Sequence, residues 1–124
     1  MNDSGDASSI ADAASAASKH VAAGFELHRA GDVDAAAKSY EAAIAVAPDH
    51  GDARYLLALV EISRARFETA RAHIRSAVRS DPANTHYLFA NGEIARELND
   101  VDGAISAFEA AIAIDASDAQ RWAQ

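Results

Sequence analysis

The stretch YEAAIAVAPDH, beginning at Tyr40, is echoed by IRSAVRSDPAN from Ile74 and by FEAAIAIDASD from Phe108. The copies start 34 residues apart, with no insertion or deletion between them. A fixed period of this length constrains the fold more than any composition does. Each unit is one supersecondary piece that cannot bury its apolar face alone, so it must stack on its neighbours. With Pro48 placed at position 32, the units run 17–50, 51–84 and 85–118.

The columns of this register have physical reasons. Position 8 reads Gly24, Ala58, Gly92 and position 20 reads Ala36, Ala70, Ala104. Both are small, as expected where two helices of one unit face each other closely. Position 24, Tyr40, Ile74, Phe108, is the large knob between helices. Position 27, Ala43, Ala77, Ala111, is small where the next unit packs. Pro48 and Pro82 end a helix, because proline has no amide hydrogen and restricts the residue before it. The third copy has Ala116 there. Gly31 and Asn99, between the helices of units one and three, tolerate a left-handed helix end, whereas unit two has Ala65. Alanine supplies 33 of the 124 residues, which favours helix throughout, and no segment alternates like a strand.

The columns resemble the tetratricopeptide repeat family over residues 17–118. The resemblance implies an all-α fold: a right-handed superhelical solenoid of three helix-turn-helix repeats with a partial C-terminal cap. Departures are local. The family's tryptophan at position 4 is His20, Arg54 and Leu88, its tyrosine at 11 is Leu27, Glu61 and Ala95, and Asn91 stands where leucine is usual. Residues 1–7 are polar and acidic and are expected to be disordered, with Ser8 or Ser9 capping a lengthened first helix. Asp118 is expected to cap a new helix over 119–124, bringing Trp122 to position 4 of a fourth unit. A chain stopping there is expected to be a piece of a longer protein, or to self-associate weakly through that end.

The net charge of −8 argues against a nucleic-acid binder. There is no cysteine, so disulfides and thiolate zinc sites are excluded. No apolar run approaches the length of a membrane span, and MNDSGDASS carries acid and lacks a positive n-region, so no signal peptide and a cytoplasmic location are expected. The five histidines lack metal-ligand spacing, and there is no phosphate loop or nucleophile elbow. No catalytic residue, cofactor or metal is expected. Arg71, Arg75 and Arg79 form a stripe on the convex side, in which Arg75 is expected to face Glu41 and Glu109 on the adjacent second helices.

The resemblance further implies that the first helices line a concave groove through positions 2, 5, 9, 12 and 13. In unit one these are Ser18, Val21, Phe25, His28 and Arg29. In unit two they are Asp52, Tyr55, Leu59, Ile62 and Ser63, and in unit three His86, Phe89, Glu93, Arg96 and Glu97. The expected binding set is Val21, Phe25, Arg29, Tyr55, Leu59, Phe89, Glu93, Arg96 and Glu97: an apolar track ending in acid. The partner expected is a protein segment, apolar at its centre, with basic residues meeting Glu93 and Glu97. Two specialisations of the family are missing. The lysine and asparagine that clamp a chaperone's terminal carboxylate are replaced by Val21 and Phe25. The asparagine ladder of sugar-transferring members is replaced by Ala22, Leu56 and Ala90. The alternative expectation is the repeat arm of a larger glycosyltransferase, methyltransferase, sulfotransferase or hydroxylase.

Overall fold

A computed structural model describes the backbone of residues 3–123 and the side chains of residues 9–121. Every element is α-helical among these residues: α1 (Asp3–Arg29), α2 (Val33–Val46), α3 (Gly51–Ser63), α4 (Phe67–Ser80), α5 (Thr85–Glu97) and α6 (Val101–Ala123). They form three antiparallel pairs, and each pair packs only on its neighbour, as a solenoid requires.

Three-residue turns join the helices within each unit. Gly31, Ala65 and Asn99 all take positive φ, at 87°, 59° and 62°. In each turn that residue's amide bonds three residues back and the next amide bonds five back, as in Arg66 N to Glu61 O at 2.8 Å. This is the Schellman end, which satisfies carbonyls that the helix leaves open. Asp32 and Asp100 then cap α2 and α6, accepting from the amides of Ala35 and Gly103. Unit two has Ala65 in the strained region and Arg66 without a side-chain cap. Glu61 compensates. It is buried, and its carboxylate takes Arg64 at 3.0 Å and Arg66 at 3.7 Å. Arg64 also reaches Asp34 of unit one at 2.5 Å. Glu61, standing where the family has tyrosine, therefore ties a turn and a unit joint together.

The proline column decides where the second helices stop. α2 and α4 end two residues before Pro48 and Pro82. At Ala116 nothing interrupts the amide ladder, and α6 continues for 23 residues. The separate helix expected from Asp118 is not formed, because alanine removes the break that would precede it. The same signal lies upstream. Counting back one period from Pro48 reaches Ala14, and IADAASA (Ile10–Ala16) matches IAIDASD (Ile112–Asp118) at four of seven positions. α1 accordingly runs straight through it, from Asp3. Residues 3–7, expected to be disordered, are helical. Met1 and Asn2 lie outside the described residues. Both terminal helices thus run past the repeat register, α1 upstream of residue 17 and α6 beyond residue 118.

Position 24 fills the interior more closely than the column reading requires. A Cβ at Gly24 would stand 2.6 Å from the Tyr40 ring, and one at Gly92 2.6 Å from the Phe108 ring. The nearest neighbour of position 8 is therefore the position-24 ring, not the alanine at 20. In unit two the knob is Ile74, and there position 8 can be Ala58, both fully buried. Ala43 packs with Ala53 of the next unit, and Ala77 with Tyr87, as position 27 demands. The arginine stripe differs from expectation. Arg71 bonds Asp100 at 2.5 Å, and no ion pair within 4.0 Å joins Arg75 to Glu41 or Glu109 among the described residues. The aspartate that caps α6 is the nearer partner.

Candidate functional site

The first helices supply two cavities. The larger, about 460 Å³, lies between α1 and α3, with Val21, Phe25, Tyr55 and Leu56 as its apolar lining and Ser18, His50 and Asp52 as polar members. The smaller, about 160 Å³, is lined by Ile62, Phe67, Glu93, Ile94, Arg96 and Glu97. The expected track is therefore divided. Its apolar half gathers at the joint of units one and two, and its acidic half at the joint of units two and three.

Some expected members are placed elsewhere. Leu59 packs against the main core cluster and lines neither cavity. Phe89, 37% exposed, leans on Phe108 with ring centroids 6.0 Å apart. Arg29 pairs with Glu26 at 3.3 Å beside the turn. His28 Nδ1 lies 3.4 Å from the Tyr40 hydroxyl, inside unit one. Ala22, His50 and Leu56 were not expected at the cavity. His50, the last residue of unit one, arrives there because its ring nitrogen caps α3, accepting from the Ala53 amide at 3.2 Å.

Tyr87, also unforeseen, organises the wall. Its ring packs on Tyr55 at 5.2 Å, and its hydroxyl donates to the Asp52 carboxylate. Burial and that bond push its hydroxyl pKa far above the ordinary tyrosine value. Tyr55 is shifted the same way by burial and by the charges of Glu93 and Asp52. The only sequence signal for Tyr87 is a tyrosine at position 3, where the other units have Lys19 and Ala53.

A polar bracket stands behind the joint of units one and two. Arg54 donates to the carbonyl of Pro48 at 2.9 Å, and its Nη1 lies 3.2 Å from Nδ1 of His73. Burial and the Arg54 charge lower the His73 pKa, against a smaller opposing pull from Glu61 and Glu41. Arg54 thus occupies the family's tryptophan position with a hydrogen-bonding role.

No group of three potential metal-ligating side chains occurs among the described residues. No described helix is long and apolar enough to cross a membrane. On α6, Val101, Ile105 and Ile112 are exposed at 64%, 49% and 60%, the face where a following unit would pack. The Trp122 side chain, expected beside them, lies outside the described residues.

Paired helices, a 34-residue period and neighbour-only packing define a helical-repeat solenoid with an aromatic groove. The chain belongs to the tetratricopeptide repeat family, whose model matches residues 22–85 and 62–119. No curated protein sequence matches it. Among solved structures it is similar to the second such domain of Spaghetti (RPAP3) bound to the HSP90 peptide SRMEEVD, with TM-score 0.76 and 17% identity over 80% of this chain and 92% of that one. It is also similar to MamA, with TM-score 0.77 and 21% identity over 85% of this chain and 61% of that one. A third neighbour is the O-GlcNAc transferase of Thermobaculum terrenum, with TM-score 0.69 and 27% identity over 88% of this chain and 20% of that one.

Proposed function

We propose that this chain is a protein-interaction module that holds a segment of another protein in its concave groove. The observation that carries this reading is the apolar cavity of about 460 Å³ whose aromatic lining, Phe25 and Tyr55, stays partly exposed. Exposed aromatics in a concavity are typical anchors. The Spaghetti domains seen with an HSP90 peptide support the mode of binding. They do not supply the ligand, because Val21 and Phe25 stand here in place of a carboxylate clamp. A peptide-array screen with the parent chain and with a Phe25→Ala, Tyr55→Ala variant tests the reading. Loss of most positive spots in the variant is expected. An unchanged array would place any binding outside the groove.

A second reading is a repeat arm serving a larger enzyme, favoured by the match to the O-GlcNAc transferase, of which this chain spans a fifth. The missing asparagine ladder at Ala22, Leu56 and Ala90 weighs against a sugar-transferring one.

A further inference from the structure

The groove's charge selects among segments that could enter it, and this selection rests on the groove being the binding surface. Asp52, Glu93 and Glu97 all lie at the two cavities. Among the described residues none of them has a cationic partner within 4.0 Å. The nearby cations do not neutralise them as a set. Arg29 is occupied by Glu26, and His50 caps α3 through an unprotonated ring nitrogen. Arg96 alone shares the smaller cavity with Glu93 and Glu97. Asp52 accepts from Tyr87, and its charge acts on the Tyr55 ring beside it. The whole of unit three carries seven acids against one base.

An acidic segment such as SRMEEVD would meet like charge here at each step. A lysine or arginine would not. Its aliphatic stem can lie on the apolar lining while its charged head meets a carboxylate. Spacing is set by the solenoid. Packed helices stand about 8–10 Å apart, and an extended chain advances about 3.3 Å per residue. One step along the groove therefore takes about three residues.

We infer that the groove binds a basic segment in extended form, with an aliphatic or aromatic anchor in the cavity between α1 and α3 and a lysine or arginine about three residues later at the acidic cavity of Glu93 and Glu97.

Fluorescein-labelled synthetic peptides test this by anisotropy. One carries leucine followed three residues later by lysine. Its twin has glutamate in place of the lysine. The lysine peptide is expected to bind about tenfold or more tightly than its twin, and the difference should shrink as sodium chloride is raised. Glu93→Gln with Glu97→Gln should remove most of the preference, and Glu109→Gln, on exposed α6, should leave it intact. Equal or tighter binding of the glutamate peptide would overturn the inference, and so would a lysine preference that survives in the Glu93→Gln, Glu97→Gln variant, or binding of neither peptide. The Phe25→Ala, Tyr55→Ala variant separates the two readings. If it weakens both peptides alike while charge makes no difference, the groove stands and the basic preference falls. If it weakens neither, the groove reading falls as well.

Discussion

Gly24 and Tyr40 show how one residue dictates another across a helix pair. A methyl group at Gly24 would overlap the buried Tyr40 ring, 2.6 Å away. Alanine in place of glycine in a helix stabilises by about 1 kcal/mol. Overpacking a filled contact costs about 1–3 kcal/mol. The second effect is the larger, so Gly24→Ala should lower stability by about 1 kcal/mol despite its better helix propensity. Unit two carries the compatible pair, Ala58 with Ile74. Tyr40→Ile alone should also destabilise, by opening space. Combined, the two changes should cost less than their sum, with a coupling of about 1 kcal/mol. Chemical denaturation of the four proteins checks this; strict additivity would show that the ring moves aside for the methyl group.

Among the elements, α6 differs from α2 and α4 by the lack of one proline. Its last residues, Asp115 to Arg121, are all exposed, so they contribute little to the core. Ala116→Pro should therefore end α6 near Ile114 and restore a turn at the place where Pro48 and Pro82 make one. Interior proline costs about 3 kcal/mol where the helix must persist. Here the helix can stop instead, and the midpoint of global unfolding should move by less than about 1 kcal/mol. Backbone chemical shifts and amide exchange over residues 114–120 decide it. Shifts that stay helical through residue 116 would show that the straight helix is held by more than the missing break. Unit two's turn uses a different compensation: Ala65 in the left-handed region costs about 1–2 kcal/mol, and the paired arginines on buried Glu61 hold the turn regardless.

For the whole molecule, stability depends on joints between units, since no unit touches any but its neighbour. The joint of units one and two contains His73 as an acceptor for Arg54. Its pKa is lowered in the folded chain from an ordinary 6.5 by burial and Arg54, which Glu61 and Glu41 only partly offset. The folded state then binds fewer protons than the unfolded state. Stability from this group is complete above about pH 6.5 and is lost as pH falls through the lowered value. Protonation also sets two cations against each other, loosening Arg54 from the Pro48 carbonyl. His73→Gln keeps an acceptor without a titration. Its melting temperature should fall less than the parent's between pH 7.5 and 5.5, and the parent's turn over residues 47–50 should show lower amide protection factors, relative to intrinsic exchange, in acid. Parallel pH profiles for the two proteins would exclude His73 as the group responsible.

The repeat period, the small columns at positions 8, 20 and 27, the helix ends at Pro48 and Pro82 and the left-handed turns at Gly31 and Asn99 were all determined by sequence alone. They are local properties, repeated two or three times, so the copies confirm one another. Ala116 was also visible, yet a break was expected after it, because an N-cap residue such as Asp118 signals a start only where something has first stopped the preceding helix. Of the residues expected to line a groove, only part gathers at the two cavities. Val21, Phe25, Tyr55, Glu93, Arg96 and Glu97 line the two cavities, whereas Leu59, Phe89 and Arg29 are occupied by other contacts. Position within a repeat fixes which way a side chain leaves its helix, and not what it then meets. Only the tertiary structure decided that Tyr87 reaches Asp52, 35 residues earlier, and that Arg54 reaches His73 on the opposite helix. Those contacts depend on how far each long side chain extends into space that its neighbours leave open, and no periodicity in one chain encodes that distance.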